Sequence, residues 1–292
     1  MHLPALLNLT ALTSGHPPSL PTVRSSSATS TSRTHLSPTT PNLRLVRLRL
    51  PSRNLFLPYG PWTLLNTTDL LPFPGPWTNT SAPATWAPDV QYISATNSFV
   101  LYYAAALPKH HGGGKDGSKN YKCIGAATSF NITGPYTPLP KPIICPAHDG
   151  GAIDASGFWD EADGSRWIMY KIDGSAQGPG GKCGNGKPPG KPTPLMLQRV
   201  DEKDGVTMLG KAVKVVDRDP EVDGPLVEAP SLVRLREVPQ GVKWRYVLFF
   251  SSHCYNEEEY DVRYAVAEGE TFQKDDLADP SIDPPTEQGR LR

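Results

Sequence analysis

Three stretches of the chain repeat one plan of apolar and polar positions: Trp86 to Ala105 (WAPDVQYISATNSFVLYYAA), Gly150 to Asp173 (GGAIDASGFWDEADGSRWIMYKID) and Glu228 to Ser252 (EAPSLVRLREVPQGVKWRYVLFFSS). Each sets a carboxylate beside a short strand-like run, passes through a polar turn, and continues into a second, more apolar run rich in aromatics. Apolar runs of this length, bounded by turn residues, predict strands, and helical periodicity is nearly absent. A third strand follows in every copy: KCIGAATS (122–129), PLMLQRVD (194–201) and DVRYAVAE (261–268). A weaker fourth is read at YTPL after Gly134 and at KAVKVV after Gly210. GPWTLL (60–65) resembles GPYTPL (134–139), so it reads as the last strand of a preceding unit.

On this plan Asp89, Asp154 and Glu228 stand at equivalent positions, 65 and then 74 residues apart. Periods longer than a solenoid repeat, each holding several short strands and Gly/Pro turns, predict an all-β fold of β-propeller blades. The innermost strands of a propeller line a central channel and begin at one end, so acids beside their starts converge on one funnel. Convergent carboxylates around a sugar-sized hollow are the apparatus of glycoside hydrolysis, in which one protonates the leaving oxygen and another activates water. A separation of roughly 6.5–9.5 Å leaves room for that water and gives inversion. Taken singly, an acid before a strand is more often a turn residue bonding its own backbone. The repetition argues for the site.

The motifs WAPDV (86–90), AIDASGF (152–158) and VEAPSLV (227–233) resemble those of glycoside hydrolase family 43, and GPWTLLNTTDLLP, FVLYYAA and YVLFFSS resemble its fungal members. The likeness runs over about residues 56 to 272. A related five-bladed family of fructan and sucrose hydrolases would show Arg-Asp-Pro and Glu-Cys where this chain has Ile153-Asp154-Ala155 and Glu228-Ala229. The resemblance implies a five-bladed propeller, here incomplete: about three full blades and part of a first. It implies Glu228 as the general acid, among the apolar Val227, Ala229 and Pro230 that would raise its pKa by desolvation. Asp154 matches the carboxylate that modulates that acid. Trp86 matches a sugar platform and Asp89 a further substrate-binding position, since an aromatic face packs on the apolar face of a sugar ring.

Two features of the family have no counterpart here. Its general base is an Asp in an Asp-Pro motif at the start of the first blade, and this chain has no acidic residue before Asp69. Its fifth blade, with a His beside a calcium or other ion near the axis, is not matched either, so no cofactor or metal ligand is expected among these residues. The implied function is inverting hydrolysis of arabinose- or xylose-containing plant cell-wall polysaccharides or oligosaccharides. The alternative is an inactive, truncated relative that at most binds sugar.

Composition bounds the rest. Lys+Arg and Asp+Glu balance at 29 each, so neither nucleic acid nor an anionic membrane is an expected partner, and a monomer is expected. Residues 1–55 hold six Arg, no Lys and no acid, with a Ser/Thr/Pro-rich run, and read as disordered or as a replacement for the family's first blade. Their composition also fits a transit peptide. The domain proper is expected over 56–273, with a coil tail at 274–292 whose Asp279-Pro280 and Asp283-Pro284 match the base motif by chance. Cys123, Cys145, Cys183 and Cys254 permit three pairings and lack zinc-site spacing. With sequons at Asn8, Asn66, Asn79 and Asn131 they favour an oxidising, secretory origin and an extracellular protein. Buried free thiols are the alternative. The Gly/Lys-rich loops around His110-His111 and Gly178 to Pro192 lack the flanks of a phosphate-binding loop.

Overall fold

In the computed structural model the described residues are 44–48, 62–108, 121–235, 244–268 and 289–291, the backbone alone being described at the margins of these segments. The loop around His110-His111, the sequon at Asn8 and both Asp-Pro steps of the tail lie outside them.

Three four-stranded antiparallel sheets make up the body. The first runs β3 (Trp86–Ile93), β4 (Ser98–Ala106), β5 (Lys122–Ser129) and β6 (Thr137–Pro138). The second runs β7 (Ala152–Trp159), β8 (Arg166–Ile172), β9 (Leu195–Val200) and β10 (Met208–Val216). The third runs β11 (Val227–Arg234), β12 (Trp244–Ser252), β13 (Asp261–Glu268) and β14 (Gly289–Leu291). A two-stranded ribbon, β1 (Arg44–Leu48) with β2 (Trp62–Asp69), precedes them. Each sheet is a meander, the order of propeller blades, and the expectation of an incomplete propeller holds.

Successive side chains of a strand turn to opposite faces, and both faces of the middle strands are covered. On β4, Val100 and Tyr102 turn toward the second blade while Leu101, Tyr103 and Ala105 turn toward Leu70, Leu71 and Tyr136. On β8, Ile168 and Tyr170 face the first blade while Trp167 and Met169 face Tyr246, Leu248 and Phe250 of the third. Such strands read as continuous apolar runs rather than alternating ones.

Three details differ from the sequence expectation. Strand β1 falls within the segment read as disordered, and β14 within the tail read as coil, where it pairs Leu291 with Val262. Both are short, and their pairing depends on a partner remote in sequence, which local pattern cannot report. The third correction concerns the acids. Each innermost strand carries a bulge at its start, where the register shifts between Trp86 and Asp89, between Ile153 and Ser156, and between Glu228 and Ser231. The residue after the first of each pair has positive φ: Ala87 at 45°, Asp154 at 59° and Ala229 at 52°. Trp86, Ile153 and Glu228 are therefore the structural equivalents, as are Asp89, Ser156 and Ser231. The three acids occupy three different places of one kink.

Candidate active site

The kink has a physical consequence. A bulge bends its strand and re-aims side chains, and an alanine in the left-handed region costs about 1–2 kcal/mol. Two of the three positions are alanine, so the surrounding pairing enforces the conformation. Trp86, at the first place of its kink, is 47% exposed, whereas Glu228, at the same place two blades on, has 12% of its side chain exposed.

Glu228 is held at both oxygens. Lys171 Nζ donates to Oε2 at 3.1 Å and the Tyr260 hydroxyl donates to Oε1 at 3.0 Å. Lys171 lies on β8, opposite Ile153 of β7, and its side chain is 1% exposed. It also pairs with Asp173 Oδ1 at 3.2 Å. Burial works against its charge, and the carboxylates of Glu228, Asp173 and Asp154 overcome that, keeping its pKa above that of a free lysine. Burial and then the charge of Glu228 raise the pKa of the Tyr260 phenol, which keeps it a donor.

Asp154 stands beside this group. Its Oδ2 accepts the backbone N–H of Ala229, the residue next to Glu228, at 3.0 Å. Its pKa is raised, first by burial and then by the negative charge of Glu228, against the opposing pull of Lys171 and of the Ala229 amide.

Trp86 has one ring face covered, for Lys122 Nζ sits 3.2 Å from its centroid. Burial pushes the Lys122 ammonium down to about 8, with Asp173 and Asp154 opposing that shift. Lys122 is fixed by its backbone, which bridges to Gly151; there φ is +92° and a Cβ would stand 2.2 Å from the Lys122 carbonyl oxygen. Only glycine permits that approach.

Asp89 is elsewhere. It is buried at the seam between the first two blades, where its Oδ2 accepts from Gln91 Nε2 at 2.9 Å and from the Gly157 amide at 2.7 Å. Burial pushes its pKa up to about 6, with those hydrogen bonds opposing the shift. The structure thus brings together Glu228 and Asp154, sets Trp86 nearby through Lys122, and turns Asp89 into the body of the fold. Sequence reasoning missed Lys171, Asp173, Tyr260 and Lys122. Lys171 had a signal, being a lone charge in the apolar run RWIMYKI; the others had none.

Among the described residues no group of three or more His, Cys, Asp or Glu side chains is placed to hold a metal ion. The disulfides join Cys123 to Cys145, and Cys183 to Cys254.

Residues 62–281 match the model for glycosyl hydrolases family 43. The chain belongs to this family. Among solved structures, a thermostable family-43 glycoside hydrolase is 22% identical, with a TM-score of 0.52 over 71% of this chain and 58% of that one. The native Bacillus subtilis arabinanase is 18% identical, covering 79% of this chain and 68% of its own, with a TM-score of 0.45. An endo-arabinase from Bacteroides thetaiotaomicron is 18% identical over 64% and 57%, with a TM-score of 0.44. At these identities the likeness is one of fold. The chain spans 58% of the length of the first of these structures. No curated protein matches it.

Proposed function

We propose that this family 43 chain is an inverting glycoside hydrolase acting on arabinose- or xylose-containing plant cell-wall polysaccharides or oligosaccharides. Glu228 is the general acid and Asp154 the residue that modulates it. The observation that carries this reading is the meeting of the two carboxylates across the seam of β7 and β11, with Asp154 bonded to the amide next to Glu228. Burial and the charge of Glu228 raise the proton affinity of Asp154, so the site keeps a proton beside the general acid. Lys171 and Tyr260 fix the Glu228 carboxyl group, so the donated proton starts from one place. Trp86 offers its open face to a sugar ring, and Lys122 backs the opposite face of the indole. Water must be activated from the opposite side by a base that no described residue matches.

A second reading, a sugar-binding relative without turnover, is favoured by one observation: no acidic residue precedes Asp69, where the family carries its base. Hydrolysis of aryl α-L-arabinofuranosides and β-xylosides separates the two. Turnover that Glu228→Gln abolishes, with the inverted anomer released first, supports the enzyme. Sugar binding without turnover supports the binder, and neither binding nor turnover defeats both.

A further inference from the structure

The end of the first blade away from Trp86 holds a hollow of about 710 Å³ that the site above does not use. Hydroxyl side chains, among them Thr96, Ser98, Thr128 and Ser129, share its lining with the apolar Val100 and Val206, and Phe130 and Asn131 stand beside them. Phe130 is 84% exposed. A phenyl ring left in water forfeits the gain of burying its area, about 25 cal/mol per Å², unless something covers it.

The next three residues name the cover. Asn131-Ile132-Thr133 is an N-glycosylation sequon. Asn131 is exposed, and its Oδ1 accepts from the Thr133 amide at 3.1 Å and from the Thr133 hydroxyl at 2.9 Å. Its amide nitrogen, the atom that would be modified, makes no hydrogen bond to any described residue and is left to solvent. Asn79, in the other sequon whose side chain is described, is half-buried. Two disulfides, one of them tying the strand that leads into Phe130, suit the oxidising compartment where such transfer occurs.

We propose that Asn131 carries an N-linked glycan whose first sugar packs on Phe130 and whose core lies in this hollow, where hydroxyl and apolar side chains stand together as hydroxyl and apolar groups do on a sugar ring. The donor is a lipid-linked oligosaccharide diphosphate. Asn131 Nδ2 forms a bond to the anomeric carbon, the bond from that carbon to the diphosphate oxygen breaks, the lipid diphosphate leaves, and the amide gives up one proton. The apolar face of the first sugar then covers the ring, and its hydroxyls meet those of Thr96, Ser98, Thr128 and Ser129. The hollow lies at the opposite end of the blade from Trp86, so the glycan leaves the carboxylate pair untouched.

The test is peptide mapping by mass spectrometry of the full chain secreted from a eukaryotic host, before and after treatment with a peptide N-glycosidase. The peptide containing Asn131 carries hexosamine and hexose mass, and the enzyme converts Asn131 to Asp. Thr133→Ala removes both signals, while Thr133→Ser keeps them. An unmodified Asn131 in the secreted wild-type chain overturns the proposal, whatever the state of Asn79. The seat is tested separately: Phe130→Ala lowers the melting temperature of the glycosylated chain more than that of the enzymatically deglycosylated chain. Equal drops overturn the packing on Phe130.

Discussion

The two seams between blades make the same gesture with different results. At the first, Asp89 of β3 reaches to the Gly157 amide of β7; at the second, Asp154 of β7 reaches to the Ala229 amide of β11. Burial raises both carboxyl pKa values. The next influences on Asp89 are hydrogen bonds that pull it down, whereas the next on Asp154 is the charge of Glu228, which pushes it further up. A carboxylate tied to a backbone amide is therefore a fastening where hydrogen bonds satisfy it, and holds its proton more tightly where a second acid faces it.

The largest expected effect lies at the second seam. Glu228→Gln keeps the shape and the Tyr260 contact but removes the proton, and should lower kcat by about 10²–10⁴-fold on aryl glycosides, the range for losing a general acid. The same change at the first seam, Asp89→Asn, should leave kcat within a few-fold; equal losses would erase the distinction drawn here.

Lys171→Met comes next. Removing one partner of a buried ion pair leaves uncompensated charge and typically costs about 3–5 kcal/mol. Chemical denaturation should show a loss of that order, and the alkaline limb of activity should move to higher pH, because an ammonium no longer competes for the proton. A stability loss with an unmoved pH profile would make Lys171 purely structural.

Asp89 gives the third test. Its folded pKa of about 6 lies above the ordinary value of 3.8, so the folded state holds the proton more tightly. Its contribution is fully present below about pH 4 and is lost as pH rises through about 6, amounting to about 3 kcal/mol at 1.36 kcal/mol per pKa unit. Asp89→Asn keeps an acceptor for Gln91 and Gly157 and should remove this slope. The difference between wild type and variant in unfolding free energy, compared at pH 4 and pH 7.5, measures it.

The smallest effect is steric. A Cβ on Gly157 would lie 2.4 Å from Gln91 Cγ, so Gly157→Ala should destabilise by about 1–3 kcal/mol, with the loss read as a lower denaturation midpoint.

Much of this was legible in the sequence. Strand runs such as FVLYYAA declare burial on both faces, and their order gives the blades. The three motifs identify the two acids that meet. What was not legible depends on contacts far along the chain. Asp89 seemed equivalent to Asp154 and Glu228 because residue spacing does not reveal where a bulge inserts its extra residue. Lys171 announced itself only as an oddly placed charge, and its purpose needed β11 beside it. The pairing of the cysteines was open until Cys183 and Cys254 came to 5.5 Å between Cα atoms, across the second seam.

The repeated kink at Trp86, Ile153 and Glu228 carries one more implication. Since the main chain determines where these three residues look, the mouth of the molecule has interchangeable mounting points, and the tryptophan and the glutamate are two fittings on the same bracket. Ile153 is the third bracket, now filled with a hydrocarbon plug. Ile153 is only 5% exposed, so a protein engineer installing new reactivity there must also supply partners for the polar group that would be buried.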